Sequence, residues 1–109
     1  MMVEFSVAAQ AEAKSIIQSY AAIDISLGER FDADVVHAVE LLMNNPDAGQ
    51  RAVGGYRRLV LRNFPYSLIY MHDFSGAMLL VVAIVNQRRR PGYRQNRIQE
   101  EPAIYAAAA

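Results

Sequence analysis

The 109-residue chain has no cysteine, two histidines and a single lysine. Without cysteine there is no disulfide framework, no thiolate nucleophile and no thiolate metal ligand. His37 and His72 stand apart, and nothing clusters around them at zinc-ligand spacing. A zinc enzyme is therefore excluded, and neither a metal nor another cofactor is expected. The longest apolar run, Ala77 to Val85, falls far short of the roughly 18 residues of a membrane span. The opening MMVEFSVAAQ carries Glu4 and lacks the basic stretch of a secretory signal. A cytoplasmic protein without a membrane partner is expected. The sequence has no internal repeat, and its length leaves little room for a lidded pocket, so no small-molecule substrate is expected.

What is present is an ordinary globular composition, 53% hydrophobic and 20% charged, enough for one small domain with a core of its own. The charge is zero overall but unevenly spread. Residues 1–50 carry Lys14 and Arg30 against eight acids, a net of −6. Residues 51–99 carry Arg51, Arg57, Arg58, Arg62, Arg88, Arg89, Arg90, Arg94 and Arg97 against Asp73, a net of +8. Such a split points to an anionic partner for the second half. The choice of arginine sharpens it, because the guanidinium fork matches carboxylate and phosphate oxygens in pairs. The plainer alternative is a basic sheet packed on an acidic helical layer.

Periodicity gives the order of elements. Val3-Glu4-Phe5 alternates as a short strand, and Ser6 is placed to cap a helix running to about Ile23. Ala9, Ala13, Ile16, Ile17, Tyr20 and Ile23 share one face of it. Asp24 to Gly28 reads as a break. A second helix follows, with Phe31, Val35, Val39, Leu42 and Met43 as its stripe, Val36 and Ala38 at the margins, and Asp32 and Asp34 in its first turns. Pro46 ends it. Residues 46–55 form a loop without periodicity. Residues 57–62 and 66–71 read as strands, His72 to Gly76 as a five-residue hairpin loop, and Ala77 to Val85 as a strand apolar on both faces and hence central. The expected fold is α+β in the order β-α-α-β-β-β, a helical hairpin on a mostly antiparallel four-stranded sheet. One sheet face lies under the helices; the other is shielded by the basic tail or by a partner and offers its arginines to a negatively charged protein or RNA. Residues 1–99 make the domain, and 100–109, ending in AIYAAAA, a frayed tail.

Five short stretches carry a resemblance. They are the opening VEFSVAAQAEAKSIIQSY, Leu27-Gly28-Glu29-Arg30-Phe31, Asn45-Pro46-Asp47-Ala48-Gly49, the run from Gly55-Tyr56-Arg57-Arg58 to Asn63-Phe64-Pro65-Tyr66-Ser67-Leu68-Ile69-Tyr70, and Gln87-Arg88-Arg89-Arg90-Pro91-Gly92-Tyr93. In this order and spacing they resemble the RelE/ParE superfamily of bacterial toxins from type II toxin–antitoxin systems, from Val3 to about Arg97. There are departures. Asn86 stands where the family often has histidine and Arg94 where it has tryptophan. Ser67 stands where RelE-type ribosome-dependent nucleases carry a catalytic arginine. One of their lysines falls at Val60 and another at Arg58. The FPYSLIY form looks more like the ParE branch, whose members act on DNA gyrase and are not nucleases.

The resemblance implies a ParE-like toxin that inhibits a bacterial target and is silenced by a cognate antitoxin, in a hetero-oligomer. Its expected target- or antitoxin-binding residues are Arg57, Arg58, Arg62, Arg88, Arg89, Arg90, Tyr93 and Arg97. The second reading is a RelE-like endoribonuclease acting on mRNA at the ribosome. There Arg58, Arg62 and Arg88 stabilise the scissile phosphate and Tyr93 orients or shuttles a proton. Against it, guanidinium stays protonated near neutrality and makes a poor general base. The third reading is a non-toxic nucleic-acid-binding relic. Without any of these roles, Arg58 and Arg62 are charges that guard a strand edge, His37 is a packed or rim residue, and His72 is exposed.

Overall fold

The computed structural model describes residues 2–73 and 77–87. The chain runs β1 (Met2–Phe5), α1 (Val7–Ile23), α2 (Ile25–Asn44), β2 (Gln50–Arg51), a short 3-10 turn (Val53–Gly55), β3 (Arg57–Val60), β4 (Tyr66–Asp73) and β5 (Met78–Asn86). The fold is α+β, with both helices on one face of a mixed sheet of order β1-β5-β4-β3-β2. The β1–β5 pair is parallel and the others are antiparallel. The sheet has five strands rather than four. The extra one, β2, is two residues long, too short to leave a period-two signature, and it pairs with Arg57 and Arg58 inside the segment that read as plain loop.

Ser6 caps α1 as expected, its hydroxyl accepting the Ala9 N–H at 3.1 Å. The break after α1 is a single residue, not five. Asp24 closes α1 through its own N–H to the Tyr20 carbonyl and opens α2 by accepting the Ser26 N–H at 2.9 Å. Those Ser26 hydrogen bonds, more than the nearby charge of Arg30, hold its carboxyl below its ordinary pKa. The segment ISLG therefore belongs to α2. Gly28 is there because a Cβ would meet the Ile17 carbonyl at 3.0 Å and the Ala21 Cβ at 3.1 Å, so it lets the two helices cross closely. Asp32 and Asp34 consequently lie beyond the first turn.

The core between helices and sheet holds Ala9, Phe31, Val35, Ala38, Leu42, Leu59, Leu61, Leu68, Tyr70, Leu79, Val81 and Ile84. Ala38 is thus core, not margin. Met43 and Ile23 are exposed, because each lies at an end of its helix where the stripe outruns the sheet. Tyr20, Phe31, Phe64 and Tyr66 meet with ring centroids 5.0 to 6.5 Å apart, mostly edge to face. Such pairs add about 0.5–1.5 kcal/mol each beyond area burial. They fasten the helical hairpin to the β3–β4 turn.

The apolar run of β5 has a structural cause. It lies between β1 and β4, and a register shift opposite Ile69 and Tyr70 inserts Val82 as an extra residue. Leu79, Val81 and Ile84 then face the helices, while Val82, Ala83 and Val85 join Ile69 and Tyr56 in a second buried cluster on the opposite face. β4, not β5, is the middle strand. His72 and Asp73 pair with Leu79 and Met78, so they belong to β4 and not to the hairpin loop. Residues 74–76 of that loop, and the tail at 100–109, lie outside the described residues.

Candidate functional site

Of the residues marked out in the sequence, Arg57, Arg58 and Arg62 fall within the described residues. Arg88, Arg89, Arg90, Tyr93 and Arg97 lie outside them. The three arginines do not converge. Arg57 shares the helix-facing side of the sheet, and its Nη1 donates to the Gly49 carbonyl at 2.8 Å while Nη2 sits 3.5 Å from Asp47 Oδ1. Asp47 is exposed, so the ion pair contributes at most about 1 kcal/mol. Arg57 therefore holds the 46–49 loop. Arg58 is in register with Ile69 and takes the opposite face. Arg62 follows the end of β3 and turns toward α2, where its Nη1 donates to His37 Nε2 at 3.4 Å.

The face away from the helices differs from an open, arginine-bearing platform. Ile69, Val82, Ala83 and Val85 are buried there, with Ala52, Met71 and Leu80 at the margin. Arginine alternates with apolar residues along β3, so any strand that buries Leu59 and Leu61 must send Arg57 and Arg58 to different sides. Ser67, at the place of the nuclease arginine, is wholly buried on that second face, and its Oγ is in a short contact with Gln87 Nε2. Gln87 is also tied to the turn, its N–H donating to the Pro65 carbonyl at 2.8 Å. Burial pushes the Tyr56 phenol above its ordinary pKa.

Four positions that shape this region carry little signal in the sequence. Tyr70 is fully buried on the helix side. Its hydroxyl donates to the Pro46 carbonyl at 2.7 Å and accepts the Gly49 N–H at 3.0 Å. Burial raises its pKa, and the Gly49 hydrogen bond and Arg57 charge pull the other way. Gly49 is required because a Cβ would lie 2.8 Å from both the Arg58 carbonyl and the Tyr70 hydroxyl. The Asn-Pro-x-x-Gly stretch is thus a clasp for Tyr70. Asp34, buried in α2, accepts the Asn63 N–H at 2.9 Å and the Asn63 side-chain amide at 3.1 Å, which fixes the β3–β4 turn. Its place on the stripe, three residues after Phe31, was the available signal. Glu12 of α1 accepts the Ile84 N–H at 3.1 Å, where β5 has run past the end of β1.

An apolar hollow lies along the outer seam of the helices, over Phe5, Ala13, Ile17, Val35, Val39 and Met43. No described helix is long and apolar enough to cross a membrane, and no three His, Asp or Glu among the described residues gather to hold a metal.

The comparisons agree with this architecture. The family model described as ParE toxin of type II toxin-antitoxin system, parDE, matches residues 3–91. Comparison with curated protein sequences gives no match. Among solved structures, a chain of the chromosomal ParDE toxin–antitoxin system from P. aeruginosa superposes with a TM-score of 0.68 at 21% identity, covering 79% of this chain and 95% of that one. The isolated E. coli RelE toxin superposes with a TM-score of 0.52 at 16% identity, covering 90% and 96%. At these identities the structures establish the fold alone. The family match spans most of the sequence, and the chain belongs to the ParE toxin family of type II toxin–antitoxin systems.

Proposed function

We propose that this protein arrests bacterial growth by inhibiting DNA gyrase and is neutralised by a cognate antitoxin, without cutting RNA. The observation that carries the choice is Ser67. Phosphodiester cleavage needs cations gathered around one phosphate. The position that supplies one in the nuclease branch here holds a buried hydroxyl, in contact with Gln87. Arg57 is engaged with Gly49, and Arg62 faces α2. Of the three, Arg58 takes the Ser67 face, and a guanidinium, protonated near neutrality, is a poor general base. Arg88, Arg89, Arg90, Tyr93 and Arg97 remain the proposed contacts for the target or the antitoxin, where guanidinium forks suit acidic surfaces. The apolar hollow between α1 and α2 supports the antitoxin half, since exposed apolar patches of this kind mark interaction surfaces.

The test pairs two assays. Expressed alone, the protein should stop growth, and co-expression of the neighbouring small gene should restore it. Purified, it should inhibit gyrase supercoiling and leave mRNA intact in a translation extract. Transcript cleavage that is lost on Arg58→Ala would replace this reading with the nuclease one.

A further inference from the structure

The hollow along the outer seam of α1 and α2 has a half-buried apolar floor, with Ala13, Ile17 and Val39, between two exposed rims. On α1 the rim is Gln10, Lys14 and Gln18; on α2 it is Asp32, Val36 and Glu40. Each set steps by four residues, so it keeps to one line of its helix. The α1 rim carries the chain's one lysine and no acid, and the α2 rim carries two carboxylates and no base. Among the described residues none of Lys14, Asp32 and Glu40 has an ion-pair partner. Val36 and Met43, on the α2 side, are 49% and 48% exposed. An apolar hollow of 950 Å³ edged this way is a surface that calls for cover.

The antiparallel hairpin sets the rims against each other in level. Counted from Asp24, Gln18, Lys14 and Gln10 stand six, ten and fourteen residues back along α1, and Asp32, Val36 and Glu40 eight, twelve and sixteen residues on along α2. The close passage of Gly28 by Ile17 and Ala21 fits that register. Two copies can meet face to face about a two-fold axis that runs across the helices or along them. An axis across the helices lays α2 on α2 and sets Asp32 against Glu40, like on like. An axis along them, over the seam, lays the α1 rim of each copy on the α2 rim of the other. Asp32 then falls between the second copy's Gln18 and Lys14, Val36 between its Lys14 and Gln10, and Glu40 just past its Gln10. Carboxylates meet ammonium and amide donors, twice over by symmetry. The two hairpins close into a four-helix arrangement that covers both floors.

We infer that the outer seam of α1 and α2 docks a second copy of this chain, as a two-fold homodimer in which Lys14 of each copy meets Asp32 of the other. It concerns the protein without its antitoxin, goes beyond the toxin reading and does not rest on it. The face runs from Asp32 to Met43, about 17 Å along the helix and about 20 Å across the pair. A footprint of about 350 Å² is well short of the roughly 800 Å² per partner of a standard stable interface. The dimer is therefore weak and reversible, with a dissociation constant on the order of 10 μM.

The test is sedimentation velocity of the full chain from about 1 to about 300 μM, where a reversible monomer–dimer equilibrium is expected. Val36→Lys sets an ammonium beside the second copy's Lys14 and should weaken the dimer by about tenfold or more. Lys14→Glu and Asp32→Lys should each weaken it too, because each brings like charges together at both contacts. Mixed in equal amounts, those two variants should recover a dimer holding one of each, since every charge then faces its opposite. All three positions are exposed, so thermal melts at about 1 μM, where the parent is monomeric, should not move and a lost dimer is not a lost fold. A parent that stays monomeric at about 300 μM would overturn the inference and leave the hollow to a different partner. So would a Val36→Lys variant that dimerises like the parent, or a mixture that forms no more dimer than its components do alone.

Discussion

Replacing Tyr70 with phenylalanine isolates the clasp that joins the 46–49 loop to the sheet. The ring and its packing remain; the hydroxyl, with its bonds to the Pro46 carbonyl and the Gly49 N–H, is removed. Two ordinary buried hydrogen bonds contribute about 1–3 kcal/mol net, and a buried donor left without an acceptor costs about 1–3 kcal/mol. Gly49 is buried, so its N–H has no access to water, whereas Pro46 is half-buried and its carbonyl can be rehydrated. The expected loss is therefore about 2–4 kcal/mol, most of it at Gly49. Urea unfolding at neutral pH reads it as a lower midpoint with an unchanged slope. The alkaline arm gives an independent check. Because burial raises the phenol pKa in the folded state, the neutral phenol's contribution is complete below the unfolded value of about 10 and is lost as pH climbs through the higher folded value. The gap between parent and variant should narrow above about pH 10, while Tyr56 titrates in both and cancels. A loss below about 0.5 kcal/mol at neutral pH, or a gap that stays constant into alkali, would refute the clasp.

Gly49→Ala should destabilise at least as much as the tyrosine change, since the new methyl meets backbone at 2.8 Å and the Arg58 carbonyl cannot step aside; thermal melts compare the two. Phe31→Ala should cost about 3–5 kcal/mol by chemical denaturation, because Phe31 is fully buried and stacks with Tyr20, Phe64 and Tyr66. Glu12→Ala should cost about 1–3 kcal/mol and release the Ile84 amide, seen as faster hydrogen exchange there than at the neighbouring paired amides of β5.

Much of the architecture follows from local chemistry. Ser6 caps α1 because a serine precedes an apolar stripe of helical period. Residues 66–71 are strand because Tyr66, Ile69 and Tyr70 favour extended backbone in a short, mostly apolar run bounded by the Asn63-Phe64-Pro65 turn. Ala77 to Val85 reads as a doubly covered strand because every position is apolar, and Leu79, Val81 and Ile84 do face away from Val82, Ala83 and Val85. The family resemblance was legible for a related reason: its motif pieces sit at the joints. Asn-Pro-x-x-Gly clasps Tyr70, and Phe64 and Tyr66 of the Asn-Phe-Pro-Tyr turn meet the aromatic cluster.

Other features depend on neighbours that a linear reading does not see. The apparent break at Asp24 to Gly28 contracts to one residue, because Gly28 was needed for helix crossing and not for a turn. β2 exists only because β3 offers it partners.

By itself, then, the sequence determined the two helices and the longer strands, which of their faces are apolar, and the family that the chain resembles, since all three are written in period and in motif. Strand alternation, itself legible in the sequence, separated Arg57 from Arg58. What each charge meets was decided by the tertiary structure: the 46–49 loop beneath Arg57, and the β3–β4 turn that carried Arg62 across to α2, beside His37 and in the same cleft as Arg30. A run of like charges in a chain fixes their number; only the directions of the backbone that bears them fix where their fields add.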